Sequence, residues 1–489
     1  MVWALVAGIE VWLMVPGLVL AAWVYSRWRH SYWSTFGVPT PPFVPFLGHV
    51  HKQLSLTQAR WEYLNEVYSK YGGSSLCGMY EIFRPVLMIG DPDLLKNIFV
   101  KNFDHFVDRR QFLAEEGSLI NEMVFNKSGD EWKALRSIMT PTFTSGKMRV
   151  MFPLITDKAD VLVSFTLQEA AKKPYTDMKV NFGLFTMDTI ASCAFGIECD
   201  SFKNEKAEFA RQAEIFFAFS LIKTIKFGLL NISPRIFNSL RLKLETTALR
   251  FFESVVEQTI AARKQSQRRG DYLDLLLDAQ ADNDQLTTAK TAATTLKQST
   301  TDSLDGTENL SITPSKQGLW KMCALLNRFV DEHKSAIDYF NIFVLFTETL
   351  RLYPPSFVGE RKCTKTFKIP GTNVTLHPGE YVTIPFWSLH HDPRYWPDPE
   401  AFLPDRFLPE NKADITNFTH MPFGMGPRNC LAMRFALMEV KVALAKLLLK
   451  AELRLCNGHE ELKLERSPFL LRPEGVNLVI SPLAERTQG

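Results

Sequence analysis

Met421-Pro422-Phe423-Gly424-Met425-Gly426-Pro427-Arg428-Asn429-Cys430 leads into Met433–Leu449, a helical run without Gly or Pro. The stretch places one Cys on a Gly-rich loop at the N-terminal end of a long helix. Helix-terminal amides and the helix dipole stabilise a thiolate there. Gly424 and Gly426 let the backbone pass close beneath a flat ligand. Amide hydrogen bonds to the sulfur tune its electron donation, and Arg428 can pair with an anionic group on such a ligand. The ordinary reading of a lone Cys, a small buried hydrophobe, suits the other six. A nucleophilic Cys430 lacks a His in a recognisable partner motif.

Outward from this loop the pattern is mainly helical with a minor β part. Leu319 to Tyr353 is strongly helical and ends at Pro354-Pro355. Val150 to Phe195 has helical periodicity. Phe209 to Arg241 is aromatic and reads first as an amphipathic core helix, with a bilayer-dipping pair of helices as the other reading. Pro85 to Ile89 reads as a strand, after which Asp91-Pro92 supplies an N-cap and a proline at N1 for a helix around Asp93 to Phe99. Lys368 to Pro385 alternates short strand-like runs with Pro-Gly turns. Ala281 to Gly318 differs: it holds nine Thr, no aromatic and no sustained apolar face, so it reads as a polar, largely disordered linker.

The chain has 489 residues and a net charge of +3 from 56 Lys+Arg and 53 Asp+Glu. That near-balance argues against a nucleic-acid partner. Thirty-seven Phe promise a large aromatic core or an apolar cavity. Seven Cys without a CxxC pair exclude a disulfide scaffold and point to a reducing compartment. Residues 1–30 combine an apolar run, carrying Glu10 and Pro16, with Arg27, Arg29 and His30 at its end. The expectation is a membrane anchor whose basic flank faces the cytosol. Residues 31–48 form a proline-rich hinge, and 49–489 form one large domain.

Phe423-x-x-Gly426-x-Arg428-x-Cys430 resembles the heme-binding loop of the cytochrome P-450 superfamily, the heme-thiolate monooxygenases. Three further motifs agree, in the family's order. Glu348-x-x-Arg351 in FTETLRLYPP resembles the family's Glu-x-x-Arg helix. Pro404-Asp405-Arg406-Phe407 is similar to its Pro-Glu-Arg-Phe segment, and the resemblance implies a buried Glu348–Arg351–Arg406 cluster supporting the heme loop. Trp132-x-x-x-Arg136 resembles the heme-propionate helix, and Arg361 in GERKC matches a further propionate-binding Arg. The i,i+4 spacing sets Trp132 and Arg136 side by side, suited to a carboxylate. The texture of MDTIASCAFG, TPTFTSGKM and FKIPGTNV looks like the membrane-bound clan of animal xenobiotic and insect detoxification enzymes, which also contains thromboxane synthase. Likeness runs from the hinge to about Gln280 and from about Phe340 to Pro482.

The resemblance implies the P-450 fold, a heme b cofactor with Cys430 as axial iron ligand, and heme contacts from Trp132, Arg136, Arg361, Phe423, Gly426 and Arg428. It implies oxidation of lipophilic small molecules with dioxygen and electrons from an NADPH-dependent flavoprotein reductase. Lys133, Lys147 and Lys441 are candidate reductase contacts. The expected place is the endoplasmic reticulum membrane, with the catalytic domain cytosolic. Two departures stand out. The family's usual Gly two residues after the Cys is Ala432. The central-helix motif Ala-Gly-x-Asp/Glu-Thr, whose acid–alcohol pair delivers protons, is not found; the only Ala-Gly pair is Ala7-Gly8. Alternatives are therefore an oxygen-independent heme-thiolate isomerase and a non-catalytic heme-binding remnant of splicing or gene decay.

Overall fold

The computed structural model describes residues 2–278 and 339–483, with interruptions at 55–56, 112–117, 204–207, 264–270, 412, 457–461 and 468–469 and only scattered residues between 218 and 246. The side chains of residues 1–13 and 339–342 are also outside the description. In chain order the main elements are α1 (Val2–Arg29), α2 (Arg60–Lys70), β1 (Leu76–Glu81), β2 (Arg84–Ile89), α3 (Pro92–Lys96), α4 (Gly129–Met139), α5 (Ser145–Ala170), β3 (Thr176–Asp177) and α6 (Met178–Ile190). Next come α7 (Glu208–Phe217), α8 (Thr247–Arg263), α9 (Tyr339–Leu352), β4 (Gly359–Lys362), β5 (Phe367–Lys368), β6 (Thr375–Leu376) and β7 (Tyr381–Ile384). Then follow α10 (Phe386–His390), α11 (Met433–Leu448), β8 (Ala451–Leu455) and β9 (Asn477–Pro482). The chain is mainly helical with small sheets.

The larger sheet has the order β1-β2-β7-β4, antiparallel except for the parallel β2–β7 pair. Val86 to Ile89 are buried on both faces of this sheet, as an inner strand of alternating neighbours requires. Asp91 caps α3 by accepting from the Leu94 amide at 2.9 Å. That helix is shorter than expected, because Asn97–Lys101 continues as a π-turn. The core around the sheet extends through Phe99 and Phe418 to Met421, so it supports the start of the Cys loop directly. On the other side α11 packs against α5, Val442 and Ala443 meeting Met151, Ile155 and Leu162.

The expected helical run Val150 to Phe195 is two helices. Lys172-Lys173-Pro174 ends α5, because proline offers no amide and disfavours helix at the residue before it. Asp177 then caps α6 through the Lys179 amide at 3.0 Å. Of the aromatic stretch, Phe209 is buried and packs on Phe252 with ring centres 5.1 Å apart; most of the remainder lies outside the described residues. So do 281–318 and the first half of the Leu319–Tyr353 helix, whose described part is α9.

The last turn of α1 is fastened to the hairpin. Ser26 Oγ accepts from the Phe46 amide at 2.8 Å, and His30 Nε2 donates to the Ile82 carbonyl at 2.8 Å. Trp33, fully buried, donates its ring N–H to Met79 O at 3.0 Å. The connector 31–48 is thus knitted into the sheet's core. Among the described residues no helix is long and apolar enough to cross a membrane.

Candidate active site

Backbone hydrogen bonds shape the Cys loop. The Gly424 amide donates to Met421 O at 3.0 Å, the Asn429 amide to Gly426 O at 2.9 Å, and the Cys430 amide to Phe423 O at 2.9 Å. Gly424 and Gly426 hold φ of 70° and 72°, left-handed values that favour glycine. A Cβ on Gly426 would lie 2.2 Å from Phe99 O. The protein's own π-turn alone thus leaves no room for a side chain at Gly426. Ala432, in place of the family's glycine, sits at φ −89° and ψ 17°, which any residue can adopt.

Four arginines converge on this loop. Arg109 Nη2 donates to Arg428 O at 2.5 Å. Arg136 grips Asn429 twice, Nη1 to the carbonyl at 2.9 Å and Nη2 to Oδ1 at 2.8 Å. Buried Arg428 lies 4.3 Å over the Trp132 ring and donates to Lys127 O. Buried Arg361, on β4, lies 4.7 Å over Phe99. In this structure Trp132 stacks under Arg428 while Arg136 turns to Asn429.

The arginines also repel one another. Burial lowers Arg361 well below the usual guanidinium range, and Arg109 and Arg428 push it the same way. Burial brings Arg428 down to about 10, with Arg109 and Arg136 adding to the fall and Asp108 opposing it. Arg361 Nε and Arg428 Nε are buried without a hydrogen-bond partner. Buried cations without matching anions are costly. The donor set therefore fits a ligand bearing two carboxylates, as heme does. Burial pushes the thiols of Cys77 and Cys193 up to about 12 and those of Cys199 and Cys363 up to about 11.

Behind the loop, Glu348 and Arg351 are fully buried on α9. Arg351 meets Glu348 through Nε at 2.7 Å and Nη2 at 2.8 Å, and Arg406 Nε stands 3.5 Å from Glu348 Oε1. Arg351 also donates to the carbonyls of His390, Pro399 and Ala401, between 2.7 and 3.0 Å. Arg406 donates to Pro397 and Asp398 carbonyls at 2.7 and 2.9 Å. The three charges tie together the segment 390–406.

Sequence reasoning missed Arg109, Asn429 and His390. Arg109 stands in a plain Arg-Arg doublet with no motif around it. Lys133 and Lys147 are exposed, and Lys441 is half-buried with its ammonium 4.4 Å over Phe343.

A buried Glu-x-x-Arg helix behind a Cys loop cradled by arginines defines a heme-thiolate protein. The cytochrome P450 family model matches residues 38–315 and 338–480, and the chain belongs to that family of monooxygenases, whose cofactor is heme held by a cysteine thiolate. The match runs past Gln280, where the likeness was expected to stop, and leaves 316–337 unmatched. Similar proteins include cytochrome P450 9e2 of Blattella germanica, 33% identical over 485 aligned residues that cover 89% of this chain and 91% of that protein. Cytochrome P450 3A11 of Mus musculus and 3A5 of Homo sapiens are each 32% identical, with 96% of this chain and 95% of each relative covered.

Proposed function

We propose that this chain is a membrane-anchored heme-thiolate monooxygenase of lipophilic small molecules, with Cys430 as the iron ligand. The observation that carries the site assignment is the ring of Arg109, Arg136, Arg361 and Arg428 around the Cys430 loop, two of them with orphaned buried Nε atoms. Those arginines would bind the heme carboxylates, with Trp132 supporting Arg428 from beneath and Phe423 bracing Cys430 through its carbonyl. When bound, the heme supplies dioxygen activation, favoured by electron density from the thiolate. The anchor reading is supported by the apolar run of residues 1–30, which lies on one helix, Val2–Arg29. With its basic end at Arg27 and Arg29, the reading is an anchor in the endoplasmic reticulum with the domain in the cytosol. Electrons come from an NADPH-dependent flavoprotein reductase, for which exposed Lys133 and Lys147 are contacts.

The carbon monoxide difference spectrum of the reduced full chain tests the site. A thiolate-type, red-shifted Soret band is expected, lost in Cys430→Ala and kept in Cys363→Ala. An unchanged band in Cys430→Ala sinks the assignment. The missing acid–alcohol pair favours a second reading, an oxygen-independent isomerase or dehydratase. Turnover of a peroxide substrate without NADPH would select it, whereas product formation tightly coupled to NADPH use would reject it.

A further inference from the structure

His390 ends α10 and is completely buried. Its Nδ1 stands 3.1 Å from the Arg351 carbonyl, which can only accept, so Nδ1 carries the proton. Its Nε2 stands 2.8 Å from the Met421 amide, which can only donate, so Nε2 accepts. The partners fix the tautomer. The exchange with Arg351 is reciprocal, because Arg351 Nη1 donates to the His390 carbonyl at 2.8 Å. Side chain and backbone of the two residues clasp each other.

Met421 opens the Cys loop. From it the chain of bonds continues: Met421 O accepts from Gly424, and Phe423 O accepts from Cys430. A short hydrogen-bonded path therefore runs from the Glu348–Arg351 pair, through one imidazole, to the loop that ends in the sulfur. The segment before Met421 is held mainly by packing: Phe418 stacks on Phe99 with ring centres 6.5 Å apart, His420 lies 5.0 Å from the Phe407 ring, and Thr419 Oγ1 donates to Thr416 O at 2.7 Å. The side-chain acceptor for the Met421 amide itself is His390.

We propose that His390 is the positioning residue that moors the Cys430 loop to the Glu348–Arg351 helix and so sets where the sulfur stands. The inference rests on Cys430 as the heme ligand, and the test separates the two ideas. His390→Asn keeps a donor at the Nδ1 position for Arg351 O but cannot reach Met421. His390→Gln can reach Met421 with its side-chain oxygen. Two readouts are taken on the full chain: the share of reduced, carbon monoxide-bound heme with the red-shifted thiolate-type band, and amide hydrogen exchange of the peptide containing Met421.

In His390→Asn the red-shifted share should fall severalfold at unchanged helix content. The Met421 amide should exchange about tenfold faster, the effect of losing one hydrogen bond. His390→Gln should recover much of both. Wild-type band share and wild-type exchange in His390→Asn would overturn the proposal. If the wild-type chain with heme shows no red-shifted band, the ligand assignment fails while the exchange arm still judges His390: acceleration upholds the mooring and no change refutes it. Should His390→Asn not fold, folding and band restored by His390→Gln uphold it. Failure of both variants to fold would show a packing role instead and overturn it.

Discussion

Glu348→Gln removes one negative charge from a site where two guanidiniums depend on it. Glu348 and Arg351 are fully buried and Arg406 is 1% exposed. The carboxylate accepts from Arg351 Nε at 2.7 Å, Arg351 Nη2 at 2.8 Å and the Leu403 amide at 2.9 Å, with Arg406 Nε at 3.5 Å. Burial and the neighbouring Arg351 already bring Arg406 down to about 10. Gln keeps the shape and one acceptor oxygen but leaves two buried cations facing each other. Breaking a buried pair in this way costs about 3–5 kcal/mol. With unfolding entropy of about 2.1 cal/mol/K per residue, a domain of roughly 450 residues loses about 1 °C in Tm per kcal/mol, so the drop is about 3–5 °C. Differential scanning of the detergent-solubilised chain measures it. Glu348→Gln combined with Arg351→Met should lose less than the sum of the two single losses, because the second change removes the stranded charge. Strict additivity, or an unshifted Tm in Glu348→Gln, would refute the reasoning.

Arg361→Met should raise the thermal stability of the heme-free chain, because it removes a buried cation repelled by Arg109 and Arg428; the same change should weaken heme retention on gel filtration. Gly426→Ala should lower Tm and heme content together, since a left-handed φ costs a non-glycine residue about 1–2 kcal/mol and the new Cβ meets Phe99 O at 2.2 Å. Burial, helped by Arg351 at the latter two, holds His49 at about 4 and His391 and His420 at about 3. The unfolded chain takes up their protons below about pH 6.5, so the urea midpoint should hold above that pH and fall toward pH 4, by at most about 1.4 kcal/mol per unit for each histidine. Glu439 is pushed up to about 7 by burial, so its protonated form is the stabilising one and its contribution is lost as pH rises from about 4.5 through 7; Glu439→Gln should therefore raise the midpoint at pH 7.5 and leave it nearly unchanged at pH 4.5.

The parts of the site that were legible in the sequence are those with local spacing. Glu348 and Arg351 share a helical face because they are three residues apart, and the glycines of the Cys loop announce a turn. Arg109, Asn429 and His390 were invisible because their partners lie far along the chain: His390 answers Arg351 and Met421, and Arg109 answers Arg428. The same limit applies to the partners of Trp132 and Arg136. Helical spacing sets them on one face, whereas Arg428 and Asn429, which they meet here, come from another segment. Gly426 shows the converse. Its need for φ > 0 could be read locally, whereas the Phe99 carbonyl that forbids a side chain comes from the π-turn after α3.

These contacts divide the function into two separable parts. Everything that presents Cys430, from the Glu348–Arg351–Arg406 cluster through His390 to the arginine cradle, is made of described residues that bind one another. Under the proposed reading, the family's acid–alcohol pair would fall where the sequence has Ala281 to Gly318, outside the described residues. Holding heme on a thiolate needs the first part alone. Coupled monooxygenation needs both, and general acid catalysis is typically worth roughly 10²–10⁴-fold. A chain with only the first part should give the red-shifted carbon monoxide band in full while consuming NADPH with little product. Band and coupling should therefore respond to different substitutions: the band to Cys430, His390 and Glu348, and the coupling to replacement of residues 281–318 by a helix carrying an Asp-Thr pair.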